Sequence, residues 1–242
     1  MDIRKKLLMT RDELEREGAI TVVIFGDSVS HGSLSVGEID YDSVYWNLLR
    51  QKINAVRSYV PVNMICSAIG GTTAEGSLPR LESQVLQHKP DLVIVCFGLN
   101  DVNRTVESYV SALERIFTEC TSNGAEVIFM TPNMLNTYVA EDTHPQHLEY
   151  AVKMAEYQNS GRMDGHMAAA KALAERMNIT VCDCYAKWKK LAETADTTKM
   201  LANRINHPTR EMHKLFADSL FETIFGDVTI TGHKNDSTMF KK

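Results

Sequence analysis

Short apolar runs alternate with longer amphipathic stretches through this chain, and no other feature narrows its fold as far. The clearest run is Pro90-Asp91-Leu92-Val93-Ile94-Val95-Cys96-Phe97, uninterrupted after Asp91, as in a strand covered by helices on both faces. It stops at Gly98-Leu99-Asn100-Asp101. Val106, Tyr109, Val110, Leu113, Ile116, Phe117 and Cys120 then recur at i, i+3, i+4, i+7 and end at Asn123-Gly124, which predicts a helix with its stop signal. The run at 21–25 reads as another buried strand, closed by Gly26-Asp27-Ser28 and followed by a helical stripe of Val44, Trp46, Leu48, Leu49, Ile53 and Val56. Further strands are predicted at 60–66, 125–131 and 178–183. Helices are predicted at 4–17 on the surface, within 145–177 with breaks at Gly161 and Gly165, and at 185–193. A last helix opens on Pro208, with Met212, Phe216, Leu220, Phe221 and Ile224 on its apolar face. Strand and helix in alternation imply an α/β fold: a flavodoxin-like, three-layer α/β/α arrangement around a central parallel sheet of about five strands.

With 242 residues and no linker, one domain over 1–242 is expected, carrying a helical N-terminal extension at 1–18 and a polar C-terminal tail at 227–242. A net charge of -5 leaves no electrostatic footprint for nucleic acid. No stretch is long and apolar enough to span a membrane, and the N-terminus lacks the apolar segment of a secretory signal, so a cytoplasmic protein is expected. The five cysteines agree, being odd in number and free of any CxxC pair; they read as buried, reduced thiols.

Ligands of open α/β sheets bind outside the carboxyl ends of the strands. The polar loops predicted at those ends, with the loop before the last helix, hold one serine (Ser28), one glycine pair (Gly70, Gly71), one primary amide (Asn100) and one imidazole (His207). Acyl transfer needs this set. A hydroxyl is deprotonated by an imidazole as it attacks, and the oxyanion that forms must meet fixed donors. Ser28 would attack and His207 would carry the proton. Backbone N–H groups of Ser28 and the glycine pair would hold the oxyanion, together with the Asn100 side chain. Taken singly these residues have plainer readings: Ser28 as a helix cap, His207 as a solvated side chain. The glycine pair lacks the GxGxxG or GxxxxGK[ST] context of a phosphate cradle.

Gly26-Asp27-Ser28, Gly70-Gly71-Thr72, Gly98-Leu99-Asn100-Asp101 and Asn206-His207-Pro208, in this order, resemble the four sequence blocks of the SGNH (GDSL-type) hydrolases. The resemblance implies the SGNH hydrolase fold, metal-independent ester hydrolysis without cofactor, Ser28 as nucleophile and His207 as base. It also implies an oxyanion hole of Ser28, Gly71 and Asn100, with Gly71 preferred over Gly70 by its place before the Thr. One departure stands out. The family carries Asp three or four residues before its His, where this chain has Arg204 and Asn203. A Ser28–His207 dyad oriented by Asn203 or by a backbone carbonyl is therefore expected, with Asn203 as a mere turn cap the alternative.

The expected function is a serine esterase acting on small carboxylic esters, O-acetylated carbohydrates foremost. A lysophospholipase or thioesterase is the alternative among enzymes. A non-catalytic sugar- or acyl-binding module and a flavin or nucleotide binder are alternatives of other classes. The expected partner is a small-molecule ester, with neither nucleic acid nor membrane; a homo-oligomer is left open. Asp183/Cys184 and His144/His147 do not form a metal set at ligand spacing. His31 is read as a loop-packing or substrate-facing group and His213 as a surface group.

Overall fold

The computed structural model describes residues 3–226. The tail expected at 227–242 lies outside the described residues. Five strands, β1 (Ile20–Gly26), β2 (Val62–Cys66), β3 (Leu92–Cys96), β4 (Glu126–Met130) and β5 (Thr180–Cys182), form one parallel sheet in the order β2-β1-β3-β4-β5. The expected flavodoxin-like order is present. Every residue of β3 is buried, which is why its sequence is apolar without alternation, whereas the edge strand β2 is only partly buried.

The helices are α1 (Ile3–Leu7), α2 (Arg11–Glu17), α3 (Ser28–His31), α4 (Tyr45–Val56), α5 (Ala74–Ser77) and α6 (Leu81–Gln84), then α7 (Val106–Ser122), α8 (Leu148–Asn159), α9 (Arg162–Arg176), α10 (Cys184–Ala192) and α11 (Arg210–Phe225). α4 packs against α11 and α7 against α9, and the two pairs flank the sheet. Right-handed crossovers dictate this division, because the chain moves one way from β1 to β2 and the other way from β3 onward. The reversal opens a crevice between the carboxyl ends of β1 and β3.

Four local expectations need correction. The stretch at 4–17 is two helices, not one on the surface. Ile3 and Leu7 are buried in the core, and Lys6 Nζ lies 2.8 Å from Asp91, whose other contact caps the Thr21 N–H at the start of β1. Gly161, at φ +79°, does separate α8 from α9, but Gly165 lies inside α9. Pro208 does not open the last helix. The Ala202 N–H donates to the His207 carbonyl and the Thr209 N–H to the Met200 carbonyl, so Leu201 and Pro208 form an antiparallel bridge and α11 begins at Arg210. That start puts His213 inward with Phe216 and Leu220. It is 1% exposed rather than a surface group.

Candidate active site

Ser28 lies one residue past the end of β1, where Gly26 lets the chain turn against β3. A side chain at Gly26 would stand 2.7 Å from the Cys96 carbonyl and 2.5 Å from Ser30 Oγ. Asp27 caps the turn that follows, its Oδ1 accepting from the Val29 N–H at 3.1 Å, so Ser28 is the first residue of α3. A first helical residue has no intrahelical acceptor for its N–H. None of the described residues accepts from the N–H of Ser28, Gly70 or Gly71. Gly71 reaches its place through φ +77°, a conformation that strains any residue with a Cβ. The Asn100 side chain joins the second and third loops, Nδ2 donating to the Thr72 carbonyl at 3.0 Å with its second N–H unused by that bond.

His207 Nε2 is 2.9 Å from Ser28 Oγ, and His207 Nδ1 is 2.9 Å from the Leu34 carbonyl. A carbonyl only accepts, so Nδ1 carries the proton and Nε2 presents its lone pair to the hydroxyl, the tautomer that a base requires. Burial holds the His207 pKa below the ordinary 6.5. The Leu34 carbonyl works against that shift and the nearby His147 adds to it.

Asn203 does not touch the imidazole. Its Oδ1 accepts at 3.0 Å from each of the N–H groups of Ile205, Asn206 and His207, and its Nδ2 donates to Asn206 Oδ1. A carboxamide saturated by three backbone donors shapes the loop and leaves no acceptor for the ring. Orientation of His207 by the Asn203 side chain is thus corrected: the ring's partner is the Leu34 carbonyl. Arg204, at φ +60°, points away to pair with Asp142. The loop is fastened further by Asn133 Nδ2 donating to the Asn206 carbonyl and by the Asn136 N–H donating to Ile205.

Leu34 sits in a small hairpin closed by the Ser33–Ile39 bridge. Arg210 clamps this hairpin, Nη2 lying 2.6 Å from Glu38 Oε1 and Nε 2.6 Å from Asp40 Oδ2. His31 Nε2 meets Tyr41 Oη at 3.0 Å, and a side chain on Gly70 would lie 3.7 Å from both His31 Nδ1 and Ser28 Cβ, so His31 stands behind the glycine loop. Asp27 and Asp101 flank the site from beneath. Burial pushes Asp27 up to about 7 and Asp101 up to about 6, with the charge of Asp101 adding to the shift of Asp27. Each has one oxygen bonded to a backbone N–H, of Val29 and of Ala74, and one buried oxygen without a partner.

Ser28, Gly70, Gly71, Asn100 and His207 all line one cleft of about 550 Å³. Its other walls, among them Val36, Ile39, Tyr150 and Ile205, gave no signal in the sequence. Their contribution depends on where loops fold back, not on residue type. Among the described residues no group of three or more His, Cys, Asp or Glu side chains is placed to hold a metal ion, and no helix is long and apolar enough to cross a membrane.

The sequence model of the GDSL-like lipase/acylhydrolase family matches residues 24–215. No curated protein matches the chain. Among solved structures, an acetylxylan esterase from Geobacillus stearothermophilus superposes with a TM-score of 0.67 at 20% identity, over 85% of this chain and 94% of that one. A lipase/acylhydrolase from Enterococcus faecalis superposes with a TM-score of 0.64 at 26% identity, over 85% of this chain and 95% of the other.

Proposed function

The chain belongs to the GDSL-like lipase/acylhydrolase family, an ester-hydrolysing serine hydrolase, and from that premise we propose that it removes small acyl groups, acetyl foremost, from carbohydrate hydroxyls through a Ser28–His207 dyad. Ser28 Oγ attacks the ester carbonyl carbon while His207 Nε2 takes the hydroxyl proton. The carbonyl oxygen becomes an oxyanion facing the N–H groups of Ser28 and Gly71 and the Asn100 amide. Collapse of the tetrahedral species breaks the bond to the alcohol, which leaves with the proton held on His207. Water then attacks the acyl-serine with His207 again as base, and the acid is released. The Leu34 carbonyl fixes the tautomer throughout and faces the imidazolium with its dipole, a weaker partner than a carboxylate.

One observation carries this reading: the 2.9 Å contact of His207 Nε2 with Ser28 Oγ, made while Nδ1 is engaged by a group that can only accept. The acetyl-carbohydrate preference draws on the acetylxylan esterase among the structural neighbours. A cytoplasmic setting fits the five cysteines, all free. A lysophospholipase reading is favoured by Val36, Ile39 and Ile69, which are 54%, 45% and 43% exposed around the Ser28 loops.

Ser28→Ala is expected to lower hydrolysis of p-nitrophenyl acetate by at least about 10³-fold, and a serine-directed phosphonate should label Ser28 alone. Wild-type turnover by the alanine variant would end the proposal. Acetylated sugars and lysophospholipid offered side by side rank the two substrate readings.

A further inference from the structure

We propose that a second cavity beside the catalytic cleft receives the alcohol half of the ester, and that this half is a neutral, hydroxyl-bearing group of more than one sugar ring. The inference rests on the hydrolytic reading above and extends it to the leaving group. In acyl transfer to a serine, the imidazole that takes the serine proton hands it to the departing oxygen. The alcohol must therefore leave on the imidazole's side of the reacting carbon, with the oxyanion donors on another side.

The second cavity, of about 590 Å³, meets the catalytic cleft through shared walls at Ser35, Val36, His147 and Asn203. Asn203 belongs to the loop that carries His207, and His147 is near enough to lower the pKa of that imidazole. Ser28, Gly70, Gly71 and Asn100 do not line it. It therefore continues the cleft on the side where the alcohol departs. Its volume lies within the roughly 300–1,000 Å³ of cavities that enclose a drug-sized ligand, far more than a methyl or ethyl alcohol fills.

The chemistry of the walls selects among alcohols. No lysine or arginine lines either cavity. Asp142 is engaged by Arg204, whereas Glu141 is exposed and leaves an acidic rim. A phosphate-bearing alcohol or thiol meets no cation there and a carboxylate at the entrance. His144 and His147 contribute imidazoles that can donate or accept. These groups suit a neutral polyol.

The experiment compares kcat/KM for methyl acetate, an O-acetylated trisaccharide and an O-acetylated sugar phosphate in the wild type and in Glu141→Trp and Glu141→Lys. Position 141 is exposed, so both variants are expected to fold. The ratio of trisaccharide to methyl acetate should exceed about tenfold in the wild type and fall about tenfold when the indole of Glu141→Trp closes the cavity. Glu141→Lys should raise the sugar phosphate several-fold relative to methyl acetate. Ratios that stay flat across wild type and both variants, with all esters still cleaved, would overturn the assignment and leave ester hydrolysis standing. A wild type inert toward every acetate would instead remove the hydrolytic reading itself.

Discussion

Burial strips water from the His207 imidazole and disfavours its charged form, while the Leu34 carbonyl returns only part of what a carboxylate would give. As the proposed base, His207 must be neutral to act. The acidic limb of kcat/KM should therefore have its midpoint below the ordinary histidine value of 6.5, with activity rising as pH increases through it. A pH–rate profile with p-nitrophenyl acetate measures it, and a midpoint above 6.5 would mean that a negative group faces the ring. Asn203 separates loop shape from ring electrostatics. Asn203→Ala leaves the N–H groups of Ile205, Asn206 and His207 without their acceptor, at a cost of about 1–3 kcal/mol. The melting temperature should drop by several degrees and kcat should fall as the loop loosens. The acidic midpoint should not move, because the side chain does not touch the imidazole. A shifted midpoint would restore Asn203 as the ring's partner.

At the scale of elements, the His207 ring is set by a contact between two loops far apart in sequence. The 33–39 hairpin offers the Leu34 carbonyl, and α11 holds that hairpin through Arg210. Exposed ion pairs add only about 0–1 kcal/mol to stability, so the clamp's contribution is to position. Arg210→Gln should lower kcat several-fold with little change in melting temperature, and Arg210→Lys should recover part of the loss. Equal kcat in all three proteins would show that the hairpin holds its place unaided. The same contact marks where sequence reading stops. β1 and β3 were legible because burial on both faces writes an apolar run. α7 was legible because one buried face writes a 3.6-residue stripe. Ser28, the glycine pair, Asn100 and His207 were legible because strand ends and loop composition placed them together at the carboxyl end of the sheet, and the resemblance to the SGNH hydrolases singled out Gly71. Leu34 was not, since it works through a carbonyl that every residue possesses. His213 was misread because an isolated histidine is usually solvated. Here it is enclosed by Tyr45 and Phe216, with the Tyr45 N–H donating to its Nδ1 at 3.3 Å.

For the whole molecule, the crevice that makes a site possible also forces carboxyl groups into the interior. Asp27 and Asp101 stand at the carboxyl ends of the adjacent strands β1 and β3, 0% and 1% exposed, each with one oxygen unpartnered. Burial raises Asp27 from the ordinary 3.8 to about 7, so between those values the native state holds a proton that the unfolded chain has released. Stability contributed by the neutral form is complete below about pH 4 and is lost as pH rises toward 7. His213 runs the other way. Burial lowers it to about 4, so its contribution is lost as pH falls from 6.5. A stability curve of the wild type alone would mix these opposite slopes, and the difference from Asp27→Asn isolates the first. Asn retains the acceptor for the Val29 N–H and cannot ionise. Its uncharged amide adds a cost that does not vary with pH. Urea midpoints from pH 4 to 8 should show Asp27→Asn gaining on the wild type with increasing pH, levelling near pH 7. The total gain is on the order of 4 kcal/mol if the whole shift is expressed in the native state. Curves that stay parallel across this range would mean that Asp27 is already ionised at pH 4 and that a partner for its second oxygen exists in solution.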